Sequence, residues 1–184
     1  MGQPKLLLPW TEKNSIIEHI VQQLINSQIE HIVVVTGHMA NEVEALLKPM
    51  GVEIIHNRSY RTGEMLSSLK VGLEAMPDHV AGALIVLGDQ PRLQPKVIYK
   101  VLMAHSQGKS DLIAPSFERR RGHPILLGRR YWADVINLPT NGMLRTVINA
   151  NNEQIHYVNV NTDSVLRDVD TPQDYREERW RAGL

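Results

Sequence analysis

The sequence predicts an α/β fold, a doubly wound and mostly parallel sheet with helices on both faces in three α/β/α layers. Three observations predict it. Residues 31–36 and 83–87 are apolar runs without in/out alternation, as in strands buried on both faces. Helical patterns lie between such runs, so strand and helix alternate as right-handed crossovers require. The second run stops at Gly88-Asp89-Gln90-Pro91, an abrupt turn that delivers one carboxylate to a strand's carboxyl end, where open α/β sheets bind ligands.

Taken in order, Gly2-Gln3-Pro4-Lys5 is loop-like where this class of chain would open with a strand, and Leu6-Leu7-Leu8 is a short apolar segment that Pro9 ends. The beginning reads as cut. Asn14 or Ser15 caps a helix whose apolar face is Ile16, Ile17, Ile20, Val21, Leu24 and Ile25. A strand over 31–36 ends at Gly37, followed by a short helix over 40–47, a strand over 52–56 and a helix over 65–75. Beyond the Gly-Asp-Gln-Pro turn come a helix over 96–105 and a strand over 112–115 ended by Pro115. Arg119-Arg120-Arg121-Gly122-His123-Pro124 then feeds a short strand or hairpin arm at 125–127. Helices over 131–136 and 144–150 and a strand over 155–160 follow. Thr171 as N-cap, Pro172 at N1 and Asp174 at N3 start the last helix. The second half departs from strict alternation, with insertions suited to covering a second substrate.

At 184 residues the chain suits one domain spanning 1–184. Twenty basic residues balance twenty acidic ones, so nothing global attracts nucleic acid or an anionic membrane, and any polyanion site must be local. There is no cysteine, which excludes disulfides and thiolate metal sites and fits a reducing cytoplasm, the expected location. No apolar run approaches the ~18 residues of a membrane span, and no basic-then-apolar leader follows Met1.

The chemistry-bearing candidates each have a plainer alternative. Asp89 could serve a metal or cap the helix beginning near Pro95. Asp168 and Asp170, two apart in extended chain, would project from one face just before a helix, and with Asp89 would make a hard oxygen site for Mg²⁺; a solvated turn and helix cap is the alternative. Arg119, Arg120 and Arg121 could bind phosphate or form a solvated loop. His123 could be a base or hydrogen-bond donor, or simply structural. No His pair at zinc spacing, no Gly-x-x-x-x-Gly-Lys-Ser/Thr and no Gly-x-Gly-x-x-Gly is present.

Six pieces in series resemble the MobA-like nucleotidyltransferases, the family of the molybdenum cofactor cytidylyl- and guanylyltransferases. Met1-Gly2-Gln3-Pro4-Lys5 looks like the second half of that family's Gly-rich opening. Val35-Thr36-Gly37-His38, Ser67-Ser68-Leu69, Gly88-Asp89-Gln90-Pro91, Arg121-Gly122-His123-Pro124 and Asp168-Val169-Asp170-Thr171-Pro172 continue it in order, and the two Pro-ended motifs resemble the cytidylyl branch more than the guanylyl branch. The resemblance implies a Mg²⁺-dependent attack by a phosphorylated acceptor, the pterin phosphate of molybdenum cofactor, on the α-phosphorus of an NTP, with CTP favoured, and a molybdoenzyme as partner. It implies that Asp89 and Asp170 hold Mg²⁺, Asp168 less firmly, and that Lys5 pairs with the triphosphate. Ser67 and Ser68 would face the nucleotide, and Arg121 and His123 the acceptor. Two other functions stay open: the same reaction on a sugar phosphate or other small metabolite, and a non-catalytic nucleotide- or cofactor-binding accessory protein.

The family's first strand and its phosphate-binding Gly-rich turn would precede Met1. The helix beginning at Asn14 feeds the strand at Ile32, and a right-handed crossover needs a parallel strand ahead of that helix, which residues 5–8 are too short and too close to proline to supply. Roughly 10 to 20 further residues, a strand of ~5–6 plus a turn, are therefore expected upstream.

Overall fold

The computed structural model describes residues 4–184, apart from the side chain of Glu64, so the expectation for Met1, Gly2 and Gln3 lies outside the described residues. Among the described residues, four α-helices and three strands alternate through the first half: α1 (Ile16–Asn26), β1 (Val33–Thr36), α2 (Ala40–Leu47), β2 (Glu53–His56), α3 (Glu64–Ala75), β3 (Gly82–Ile85) and α4 (Pro95–Ser106). The second half adds β4 (Leu112–Phe117), β5 (Arg120–Arg121), β6 (Ile125–Gly128), α5 (Trp132–Ile136), α6 (Leu144–Ala150), β7 (His156–Asn159) and α7 (Pro172–Arg181).

Local chemistry sets the element ends. Ser15 and Glu18 form a capping box at α1, the Ser15 backbone N–H donating to Glu18 Oε2 at 2.8 Å, so Ser15 and not Asn14 is the cap. Thr171 and Asp174 repeat the device at α7, with Pro172 in the first turn. The apolar stripe of α1 is buried as its spacing requires: Ile16, Ile17, Ile20, Val21 and Leu24. Residues 5–7 form a 3₁₀ turn and no strand. β4 does not stop at Pro115, which pairs with Val158 of β7 while its carbonyl accepts from Gly122 N at 2.9 Å. Glu118 and Arg119 make a two-residue turn, both at positive φ, that folds β5 back on β4.

Three layers result. α1, α2, α4 and α7 cover one face through Leu84, Val86, Val34 and Ile54, and α3, α5 and α6 cover the other through Ala83, Ile85, Leu112 and Leu127. β4 runs with β7 and against β5 and β6, and β3 runs against β6, so β3, β4 and β7 point one way. α1 starts beside Gly88, beyond the carboxyl end of β3, and its far end packs with Ile32 just ahead of β1. β1 and its parallel partner β2 therefore point the same way as β3, and only β5 and β6 oppose.

The ladder is broken in one place. β1 and β2 form a two-stranded sheet, and β3 is the end strand of the other, five-stranded sheet. Between β1 and β3 lies a cavity of about 470 Å³. This corrects the expectation that residues 31–36 and 83–87 are buried on both sides: of β1 only Thr36 is buried, and of β3 only Ala83, because among the described residues no strand pairs with the edge that each turns to the cavity.

Candidate active site

The crevice forms where β1, β2 and β3 end. Gly88-Asp89 turns the chain out of the sheet, and Asp89 does not cap α4, whose N-cap is Gln94. The segment 165–170 crosses this edge as a strap. Val169 N donates to the Asp89 carbonyl at 2.8 Å, and the Val169 side chain is fully buried. Extended chain alternates, so anchoring Val169 inward turns Asp168 and Asp170 outward to the Asp89 side.

Lys5 joins the two carboxylate sources. Its Nζ donates to Asp89 Oδ2 and to Asp170 Oδ1, each at 2.8 Å, so those two oxygens lie within twice that distance of each other although the residues are 81 positions apart. Burial lowers the Lys5 pKa, but the hydrogen bonds and charges of Asp170 and Asp89 outweigh it and hold the ammonium above its ordinary value. Asp168 is pushed the other way, upward, first by desolvation and then by the charges of Asp89 and Asp170. One cation already sits where two carboxylates converge, and the donor set is all oxygen.

Two carboxylates suit Mg²⁺, which takes one or two and leaves its other positions to water and phosphates. Among the described residues no group of three or more His, Cys, Asp or Glu stands in metal-holding geometry. Asp168 is thus not brought into a three-carboxylate cage with Asp89 and Asp170.

The Arg-Gly-His-Pro segment docks against the strap. His123 N donates to the Val165 carbonyl at 2.9 Å, and a Cβ on Gly122 would stand 2.4 Å from that same oxygen. Only glycine permits so close an approach. Burial lowers the His123 pKa, the Arg121 charge adds to that, and Asp89 opposes it, so the ring is held neutral within electrostatic reach of Asp89. Arg121 points to Asn149 Oδ1 at 3.4 Å. The arginine run therefore divides. Arg119 sits at the hairpin tip, Arg121 stands within electrostatic reach of His123, and Arg120 lines a separate pocket with Arg92, Arg167 and Arg181. Of those three, Arg92 and Arg181 pair with both Asp163 and Glu178, and Arg167 pairs with Asp163.

Ser67 and Ser68 lie in the first turns of α3. Asn57, 2% exposed and directly after β2, donates to Ser67 Oγ at 2.7 Å and Ser68 Oγ at 3.0 Å, while its Oδ1 accepts from Ser59 N at 2.9 Å. Sequence reasoning missed Asn57. Its signal was an amide residue at a strand's carboxyl end, the position that elsewhere in this chain supplies Asp89.

Residues 1–156 match the MobA-like NTP transferase domain. The chain belongs to the MobA-like NTP transferase family. Among solved structures, Rv0371c of Mycobacterium tuberculosis in complex with manganese is 21% identical with a TM-score of 0.82, over 96% of this chain and 91% of that one. A nucleotidyl transferase of Methanothermobacter, Mth528, is 23% identical with a TM-score of 0.81, over 96% and 84%. The molybdopterin-guanine dinucleotide biosynthesis protein A of Archaeoglobus fulgidus is 14% identical with a TM-score of 0.70, over 99% and 92%. At these identities the likeness is one of fold, the nucleotide-diphospho-sugar transferase-like arrangement. A search of curated protein sequences found no match. No helix among the described residues is long and apolar enough to cross a membrane.

Proposed function

We propose that this chain is a divalent-metal-dependent nucleotidyltransferase that moves NMP from an NTP, CTP for preference, to a phosphorylated acceptor of the molybdopterin kind, releasing pyrophosphate. The observation that carries this reading is the convergence of Asp89 and Asp170 on one cation at the strand ends. The manganese bound to Rv0371c supports a divalent ion, with Mg²⁺ the expected one, and the molybdopterin named for the Archaeoglobus neighbour supports the acceptor class.

Asp89 and Asp170 would hold the ion through one carboxylate each, with Asp168 adding negative potential beside them. When bound, the ion offsets the charge that builds on the departing pyrophosphate. Lys5, released from the carboxylates, turns its ammonium to the triphosphate. Ser67 and Ser68, fixed by Asn57, face the nucleotide. Arg121 and neutral His123 receive the acceptor on the far side. An acceptor phosphate oxygen forms a bond to the α-phosphorus while the bond from that phosphorus to its β-bridging oxygen breaks, and pyrophosphate leaves with the electron pair. The attacking oxygen is already anionic, so positioning and charge neutralisation do most of the work.

The test is pyrophosphate release from each NTP with and without Mg²⁺ and molybdopterin, in the parent and in Asp89→Asn and Asp170→Asn. Metal-dependent release that falls at least 100-fold in both variants, with folding intact, is expected. Release with sugar phosphates alone would move the acceptor assignment, and nucleotide binding without release under any acceptor would establish the accessory-protein reading instead.

A further inference from the structure

The pocket lined by Arg120 is a second cavity, of about 480 Å³, where the β4–β5 hairpin meets the start of the strap, and it shares no lining residue with the cavity between β1 and β3. Phe117 and Arg120 stand directly opposite each other across the hairpin, so their side chains lie on one face of it. Arg121, opposite Ser116, lies on the other face.

The charges here do not cancel within the chain. Asp163 is the hub: its Oδ1 takes Arg92 Nη2 at 3.2 Å, and its Oδ2 takes Arg167 Nε at 3.1 Å and Arg181 Nη1 at 3.2 Å. Burial raises the Asp163 pKa, but the Arg167 hydrogen bond and the charges of Arg92, Arg167 and Arg181 outweigh it and hold the carboxyl below its ordinary value. Glu178, 3% exposed, takes Arg92 Nη1 at 2.9 Å and Arg181 Nε at 3.7 Å. Arg92 and Arg181 are thereby fixed from two sides. Among the described residues, Arg167 keeps both Nη groups unpaired and Arg120 its whole guanidinium. Counting Glu118, four guanidiniums face three carboxylates, a net positive charge in a chain whose basic and acidic residues balance.

The remaining lining gives the cavity a second character. Asn161 adds an exposed amide, while Phe117 and Leu166, half-buried and packed on Val97, Val160 and Val165, form an apolar wall. Guanidinium forks match phosphoryl oxygens in pairs, and an apolar wall beside them takes a ring or short hydrocarbon. The volume falls among those of small-molecule sites, roughly 300–1,000 Å³.

We propose that this cavity binds a small organic phosphate monoester, its phosphoryl oxygens on Arg120 and the unpaired Nη groups of Arg167 and its organic body against Phe117 and Leu166. The site is distinct from the one assigned to NTP and acceptor, and the inference does not rest on that activity.

The test is titration of phenyl phosphate into the ¹⁵N-labelled protein in EDTA, followed by amide chemical shifts. Saturable shifts centred on Phe117, Arg120, Asn161 and Arg167 are expected, with affinity about tenfold above that for inorganic phosphate because the ring is buried. Arg120→Gln should weaken binding about tenfold, the loss of a charge-assisted contact, whereas Arg121→Gln, the same change of charge on the other face, should alter it less than about twofold. Phe117→Leu should weaken phenyl phosphate about fivefold and leave inorganic phosphate within about twofold. Four outcomes would each overturn the proposal: no saturation, shifts centred on Lys5, Gly88 and Asp89, equal affinity for inorganic phosphate, or equal losses in Arg120→Gln and Arg121→Gln. A rise in acceptor KM for pyrophosphate release in Arg120→Gln would also overturn it, by assigning the cavity to the acceptor.

Discussion

Replacing Gly122 by alanine tests whether the strap carrying Asp168 and Asp170 is positioned by its contact with the Arg-Gly-His-Pro segment. The new Cβ would lie 2.4 Å from the Val165 carbonyl oxygen, 2.6 Å from Val165 Cγ2 and 2.7 Å from Val165 Cβ. One of these partners is backbone, and His123 N holds that same oxygen at 2.9 Å, so no side-chain rotation relieves the clash. Ordinary contact begins at 3.4 Å, so the strap must retreat by about 1 Å, while Val169, fully buried and bonded to the Asp89 carbonyl, resists. Overpacking of this kind costs about 1–3 kcal/mol. In a domain of this size that lowers the thermal midpoint by roughly 2–12 °C. Moving Asp170 by the same 1 Å should reduce kcat by about 100-fold. Calorimetry and pyrophosphate release together decide the matter. An unchanged midpoint with kcat within twofold of the parent would show that the strap is placed by something other than this contact.

Arg121→Ala should raise the apparent KM for the phosphorylated acceptor far more than for the NTP, as measured by varying each substrate in turn; equal effects on both, or none, return Arg121 to a solvated loop. Asp168, whose pKa is raised in the folded state, binds protons there that the unfolded chain has released, so stability falls as pH climbs through the folded value. Asp168→Asn should therefore raise the thermal midpoint at pH 7 and lose that advantage progressively toward the ordinary carboxylate range near pH ~4, and a constant offset across pH would contradict the assignment. His123 has the opposite sign of consequence: its folded pKa is lowered, so stability drops as pH falls below the unfolded value of ~6.5, and His123→Gln should flatten that part of the profile.

Much of this arrangement was legible because it is written in local chemistry. The helices at Ala40–Leu47 and Leu144–Ala150, the Thr171 cap and the turn at Gly88-Asp89 follow from periodicity, capping residues and breakers within a few positions of one another. What stayed hidden depends on neighbours distant in the chain. An apolar run shows that a strand avoids water, and it is silent on whether a partner strand closes its edge, so the half-exposed edges of β1 and β3 were unforeseen. Pro115 ended β4 on paper because it lacks an N–H, yet its carbonyl and its neighbours still pair. The run of three arginines looked like one feature, although strand alternation and a turn send its members three ways. In the site, Asp89, Asp168 and Asp170 could be singled out as carboxylates, whereas the ammonium of Lys5 between two of them and the Asn57 anchor of Ser67 and Ser68 exist only in three dimensions.

The Lys5 bridge also sets a timetable for biosynthesis. Its two partners lie 84 and 165 residues further along. At ribosomal rates of about 5–20 residues per second, Asp170 is made roughly 8–33 s after Lys5. Until then the ammonium has only Asp89 to meet, and Val169 is not yet there to pin the Asp89 carbonyl. All seven described strands and every α-helix but α7 precede Asp170 in the chain, while the charged centre cannot close until residue 170 has been made. A nascent chain released before residue 170 would lack the residue that completes the bridge.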